Sequence, residues 1–234
     1  MSWWSYLTSS ENYWGSDGIL NLIREHVAFS GFALLIVVVI ALPLGVTLGH
    51  FHRGSVIVLG LANLGRAVPS FGVIVIFAVS AWGLNFATLT ATLVLFALPQ
   101  VLTNAYTGVA EADSATVQAA RGIGMGHWGV LWRVELRSAV PLIASGIRSA
   151  AVQIVAVATI AGYAGAGGLG QIVFRAYASN LPGEQVGGAI LVVALALAVQ
   201  IVLGLVQRTV TPAPMRRTGL IFRNRVALPQ PAAA

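Results

Sequence analysis

Apolar and polar positions in this chain fall in long blocks rather than alternating residue by residue. Val27 to Gly49 contains no charged side chain, and neither do Ala67 to Ala110, Ser149 to Phe174 or Val186 to Gln207. A helix needs about 20 apolar residues to cross hydrocarbon, because each residue rises about 1.5 Å against a thickness of about 30 Å. The block from 67 to 110 is long enough for two crossings if the chain breaks at Trp82, Gly83, Leu84 and Asn85. The pattern therefore predicts an all-α membrane protein with five transmembrane helices, over 27–49, 56–81, 86–106, 143–164 and 186–206.

Composition agrees with a bilayer setting. Of the 234 residues 57% are hydrophobic and 9% charged, whereas a soluble domain carries roughly 25% charged residues. The absence of cysteine removes thiolate catalysis, Cys-ligated zinc and disulfides together. Net charge is +6, and the distribution of arginine sets an expected orientation. With the N-terminus outside, the cytoplasmic segments hold Arg53, then Arg121, Arg133, Arg137 and Arg148, then Arg208, Arg216, Arg217, Arg223 and Arg225, leaving Arg24 and Arg175 outside. Five crossings then give an N-out, C-in chain. Residues 1–24 form an extracytoplasmic interfacial segment, 25–210 the transmembrane domain with a polar loop at 107–142, and 211–234 a basic cytoplasmic tail that reads as a membrane flank rather than a nucleic-acid site. Trp3, Trp4, Tyr6, Tyr13 and Trp14 suit an outer aromatic belt, and the N-terminus lacks the basic region of a cleaved signal peptide.

The second expected span contains Arg66, just before Ala67-Val68-Pro69-Ser70. A guanidinium at the bilayer centre costs at least about 2.5 kcal/mol. Either the helix kinks at Pro69 and Arg66 faces a hydrated cavity, or the side chain snorkels to the inner interface. AGAGGLGQ, residues 164–171, matches the dinucleotide fingerprint G-x-G-x-x-G at Gly165, Gly167 and Gly170. That fingerprint must follow a short strand and precede an acid at the end of the next strand. Here a bilayer-length apolar run comes first, and Glu184 precedes the following run instead of ending it. Gly165, Gly167, Gly168 and Gly170 are therefore read as helix-packing or re-entrant-turn glycines. His50 and His52 flank Arg53 and read as inner-interface anchors; no metal site, catalytic residue or cofactor site is expected in the chain.

The interval TGVAEADSATVQAARGIGMGHWGVLWRVELRSAVPL, 107–142, is the longest polar stretch within the membrane region. Asp113 or Ser114 can cap a short helix running to Arg121. Gly122, Gly124 and Gly126 break it, and His127 to Arg137 forms a second short helix with Trp128, Leu131, Trp132 and Leu136 at helical spacing. Two rods joined by glycines make a docking element, or an amphipathic loop on the membrane surface.

VQAARGIGMGHWGVLWRVEL resembles the EAA loop of ABC importer permeases, E-A-A-x-x-x-G followed nine residues later by I-x-L-P. Gln118, Ala119, Ala120 and Gly124 take the first places and Val134 and Leu136 the later ones. Gln118 replaces the acid, and Arg137 stands where the family has proline. RAVPS at 66–70, NAYTGV at 104–109 and VATIAGYAGAGGLGQIVFRAYA at 157–178 resemble the permease subunits of osmoprotectant importers, over roughly residues 25–207. The family's usual first string is Q-T-I-P-S, so Arg66 departs from it.

The resemblance implies a core like that of methionine importer permeases. It also implies assembly with a cytoplasmic ABC ATPase dimer, a second permease subunit, identical or paralogous, and an extracytoplasmic substrate-binding protein. ATP and Mg²⁺ would bind the ATPase. Gln118, Ala119, Ala120, Arg121, Gly122, Gly124, Trp128, Val134 and Leu136 are the expected coupling residues; Arg66, Pro69, Ser70, Asn104 and Tyr163 are the candidates for the translocation path. The expected cargo is a compatible solute such as glycine betaine, choline, carnitine or proline. A self-sufficient secondary transporter or channel is the rival reading, and an importer permease for another small solute, such as methionine, is a second. No acid lies in any expected span, which an ion-coupled carrier would ordinarily need.

Overall fold

A computed structural model describes residues 2–211 apart from Leu84 and Ala166, without the side chains of Leu64, Arg66, Ala78 and Ala164. The tail residues Arg216, Arg217, Arg223 and Arg225 lie outside the described residues, as does the side chain of Arg66. In chain order the helices are α1 (Trp3–Thr8), α2 (Ile19–His50), α3 (Ser55–Ala67), α4 (Ser70–Val79), α5 (Phe86–Ala110), α6 (Ser114–Gly122), α7 (His127–Ala161), α8 (Leu169–Ala178) and α9 (Pro182–Val210). Short 3-10 turns precede α2 at Ser10–Tyr13 and follow α7 at Gly162–Ala164.

Four of these, α2, α5, α7 and α9, with 32, 25, 35 and 29 residues, are each long and apolar enough to cross a membrane. The span expected over 56–81 is instead two helices of 13 and 10 residues. Pro69 is the cause. It has no N–H to continue α3 and it biases Val68 toward extended backbone; with ψ at 115° it becomes the N-cap of α4, its carbonyl accepting the Val73 N–H. The next start is set by Asn85, whose side chain accepts from the Ala87 and Thr88 N–H groups while the Thr88 hydroxyl accepts from Asn85 N, a reciprocal capping box.

Contacts fix the directions. Phe29 and Phe32 meet Phe86 at ring separations of 6.0 and 5.5 Å, and at the other end Gly49 lies against Tyr106 and Val109. Hence α2 and α5 run the same way, and α3 with α4 carries the chain back between them. α7 opposes α5, with Ala139 on Gly108 and Asn104 on Gly146. α9 opposes α7, with Gln207 Nε2 donating to the Pro141 carbonyl at 3.0 Å.

The core lies where α2, α5 and α7 converge, around Val37, Ala41, Leu93, Ala97, Val101, Ile154 and Ala158. With lipid tails as apolar as the side chains, such helices associate through close packing rather than water exclusion. Gly45 and Gly49 make that approach possible: a Cβ would lie 2.7 Å from the Leu102 carbonyl oxygen at the first and 2.6 Å from that of Tyr106 at the second. α9 has none of its apolar window buried and packs at the edge.

Two expectations are corrected. The second rod of the polar loop does not end at Arg137; it continues through Pro141 as one helix to Ala161, with a π-helical stretch at Leu131–Glu135. Interior proline is tolerated in membrane helices where neighbours support the backbone, and here α9 packs on this part of α7, with Gln207 Nε2 donating to the Pro141 carbonyl. Arg148, counted among the cytoplasmic arginines, lies within the spanning helix α7, as the span expected over 143–164 also placed it.

Gly49→Ala, which sets a methyl against the Tyr106 backbone, should lower the unfolding free energy in detergent by about 1 to 3 kcal/mol. Gly60→Ala in α3, where a Cβ meets nothing within 4 Å, should leave it unchanged or raise it by up to about 1 kcal/mol. Paired thermal melts monitored by helical circular dichroism measure the contrast.

Candidate functional site

The break at Pro69 opens a cavity against α5 and α7. Its volume is about 650 Å³, and Pro69, Ser70, Gln100, Thr103, Asn104, Ser149 and Gln153 line it with the apolar Phe96 and Pro99. Polar side chains at this depth face a bundle interior or water rather than lipid. None of the described lining residues is charged, and their amides and hydroxyls offer hydrogen bonds inside the cavity. Asn104 Nδ2 donates to the Gln100 carbonyl at 2.7 Å, which ties the amide to its own helix.

Pro69, Ser70 and Asn104 were expected in such a path. Tyr163 does not line it: the ring is 56% exposed and packs against Phe71 and Phe174 at 5.5 and 5.2 Å. Gln100, Thr103, Ser149 and Gln153 were missed. Gln100 and Asn104, and Ser149 and Gln153, are polar pairs spaced i, i+4 within apolar runs, and that spacing was a usable signal of one shared polar face.

The glycine turn closes the other end of α7. Gly165, Gly167 and Gly168 have φ of +81°, +84° and +69°, a region where a Cβ is strained. Gly170 packs on the Thr159 backbone, where no Cβ fits. Glu25 Oε2 accepts the Gly168 N–H at 3.1 Å and its other oxygen accepts from Asn21. His26 Nε2 meets the Val155 carbonyl at 3.2 Å. The turn therefore binds α2 to α7 and α8. Glu184 instead sits in the first turn of α9, 3.5 Å from Arg175.

At the opposite end, Asp113 caps α6, Oδ2 accepting the Thr116 N–H at 3.0 Å. The Thr116 hydroxyl, and then the Thr116 N–H, hold this carboxyl below its ordinary range. A depressed carboxylate contributes stability above its unfolded pKa, so the cap is intact at neutral pH and is lost as pH falls through the lowered value. α6 ends in a Schellman turn: Met125 N–H bonds the Ala120 carbonyl, Gly124 N–H bonds that of Arg121, and Gly124 takes φ of +86°. Ala120 faces inward, while Gln118, Ala119, Arg121, Gly122 and Gly124 are exposed. Ile123, Trp128 and Trp132 are 82%, 63% and 67% exposed, and Val134 and Leu136 are half-buried.

His50 is not an interfacial anchor. Its Nδ1 lies 2.5 Å from Glu135 Oε2 with both side chains almost wholly buried, and Trp128 stacks over the ring at 6.3 Å. The pair fastens the last residue of α2 to the π segment of α7. Nothing in the sequence could pair residues 85 positions apart. Among the described residues no cluster of His, Asp and Glu is arranged for a metal.

A helical bundle crossing the bilayer, with a polar cavity at its break and an exposed jointed loop at one end, defines a membrane permease component. The chain belongs to the family of binding-protein-dependent transport system inner membrane components, whose model matches residues 38–215. It is 31% identical over 188 residues to the glycine betaine/carnitine/choline transport system permease protein of Bacillus subtilis, covering 80% of this chain and 86% of that one. It is 32% identical to the choline transport system permease protein of the same organism, with 82% and 88% covered. The osmoprotectant import permease protein of Salmonella typhimurium is 29% identical, with 85% and 94% covered. The fold is that of a chain of the inward-facing MetNI methionine ABC transporter, with a TM-score of 0.69, 22% identity, and 81% and 94% covered. Membership of this family decides for an importer permease against a self-sufficient secondary transporter or channel.

Glu135→Ala should destabilise the chain by about 3 kcal/mol by stranding a buried imidazole. The His50→Ala/Glu135→Ala double variant should lose less than the two single variants summed. Melting of the four proteins in detergent gives the coupling; strict additivity would mean that the two groups do not interact.

Proposed function

We propose that this chain carries a compatible solute such as glycine betaine, choline, carnitine or proline as the transmembrane subunit of an ATP-driven importer. An ABC ATPase dimer, with ATP and Mg²⁺ on its own subunits, docks on α6 and the start of α7. A second permease copy or paralogue completes the path through the Pro69 cavity, and an extracytoplasmic binding protein delivers the solute. The chain lies N-out and C-in, which puts the docking loop in the cytoplasm in accord with its arginines.

One observation carries the reading: α7 joins the two halves of the proposed machine without a joint. Its first residues present Trp128 and Trp132, and the same helix places Ser149 and Gln153 on the cavity wall. A continuous helix of 35 residues is about 50 Å long, so displacement at the docking end reaches the cavity as a tilt. ATP then drives alternating access by binding one global state better than the other. A lining rich in amides and hydroxyls suits a polar solute that must also leave. The names of the relatives support the solute class.

In vesicles holding the complete importer, Gly124→Leu should cut uptake at least about tenfold while ATP hydrolysis continues, since the docking turn needs positive φ. A variant that transports as well as its parent would remove α6 from the coupling role. Solute class is read from ATPase stimulation by binding protein loaded with betaine, choline, carnitine, proline or methionine; stimulation by methionine alone would overturn the compatible-solute assignment.

A further inference from the structure

A groove between α7 and α9, toward the end of the bundle that carries α6, holds two cations and no acid. Its volume is about 730 Å³, and Arg148 from α7 faces Gln200, Gly204, Gln207 and Arg208 from α9 across it. Gly204 and Arg208 are four residues apart and share one helix face. Arg148 reaches the first of them, its Nη1 lying 3.5 Å from where a Gly204 Cβ would stand. The Arg148 guanidinium is thus about one helical turn from Arg208 along α9.

Neither arginine makes an ion pair or hydrogen bond with another described residue, and no Asp or Glu is among the residues lining the groove. Two like charges facing one another beside hydrocarbon repel, and an arginine within a spanning helix needs an anion or water. Lipid-facing apolar residues adjoin the cations: Ile201 and Leu205 line the same groove and are 60% and 54% exposed. Cation below and hydrocarbon above is the arrangement of a phospholipid at the interface, and basic grooves between membrane helices take anionic headgroups.

The geometry points to a site for an acidic phospholipid, with the headgroup phosphate between Arg148 and Arg208, the Gln200 amide as a further donor, and an acyl chain along Ile201 and Leu205. Free phosphate is disfavoured by walls that are membrane helices. Assignment to the cytoplasmic leaflet rests on the proposed orientation; occupancy of the groove does not.

Native mass spectrometry of the detergent-solubilised full chain, titrated with phosphatidylglycerol or with phosphatidylcholine, tests this. The parent should retain phosphatidylglycerol about tenfold better than phosphatidylcholine. Arg148→Gln combined with Arg208→Gln should bring the two within about twofold, and Arg148→Lys should keep most of the preference. Equal preference in parent and double variant overturns the site, because the tail arginines are common to both. Displacement of the lipid by excess inorganic phosphate, or by glycine betaine, also overturns it and assigns the arginines to a soluble ligand. Should the double variant lose its helical circular dichroism, Arg208→Gln alone, at an exposed position near the end of α9, decides: an unchanged preference overturns the proposal.

Discussion

A polar group placed in hydrocarbon needs a partner, and much of the arrangement of this bundle follows from how the protein supplies it. The simplest solution is local. Thr47, Thr90, Thr92 and Thr159 each return the hydroxyl proton to the carbonyl four residues earlier, so they sit in spanning helices without tertiary help. Carboxylates cannot do this and are matched across the fold, Glu25 with the Gly168 N–H and Glu135 with His50. The amides and hydroxyls of Gln100, Asn104, Ser149 and Gln153 then collect where α5 and α7 meet the break in the returning pass. The cavity is therefore a consequence of polar accounting around one proline.

Pro182 opens α9 at its first position, where proline is accommodated; of the other four prolines of the membrane region, only one breaks its helix. Pro43, Pro99 and Pro141 lie inside α2, α5 and α7, the three helices that share the core. Packing from neighbours holds these helices against the loss of one backbone bond, that to the carbonyl four residues before each proline. Pro69 lies in the pass at the edge, where Val56, Ile57, Ile76 and Val79 are largely exposed. With less packing to hold it straight, the local preference of proline prevails and the backbone opens where Ser70 meets the cavity.

Much of this was legible in order along the chain. Charge-free blocks located the four long helices, Trp82, Gly83 and Asn85 the break before α5, Asp113 the cap of α6, Pro69 its kink, and the glycines at 165–170 their turn. These signals are local, each carried by one residue's conformational limits. What escaped was non-local. The continuity of α7 through Pro141 rests on tertiary packing, which includes a contact from Gln207, 66 residues away. The burial of His50 depends on Glu135, and the hold on the glycine turn depends on Glu25, 143 residues before Gly168. Tyr163 was drawn to the path by its aromatic type, yet its neighbours are other rings. The polar faces of α5 and α7 are legible only in helical spacing, Gln100 with Asn104 and Ser149 with Gln153, and not in any single residue.

The same accounting bears on how force would pass through the chain under the proposed function. Gly122, Gly124 and Gly126 stand in the turn before α7, and no glycine lies in the π segment where Glu135 holds His50. The joint is thus placed ahead of that tie. Within the π segment Glu135 is buried and Trp132 exposed, as is Trp128 just before it. Because the tie reaches the last residue of α2, a tilt of α7 cannot leave α2 behind, and α2 is packed against α5 through Gly45 and Gly49 at contact distance. Helices joined this closely shift as a body rather than deform. The lightly packed pair α3 and α4 is then the part of the cavity wall free to move against them, and the break at Pro69 is where that relative motion would change the shape of the path.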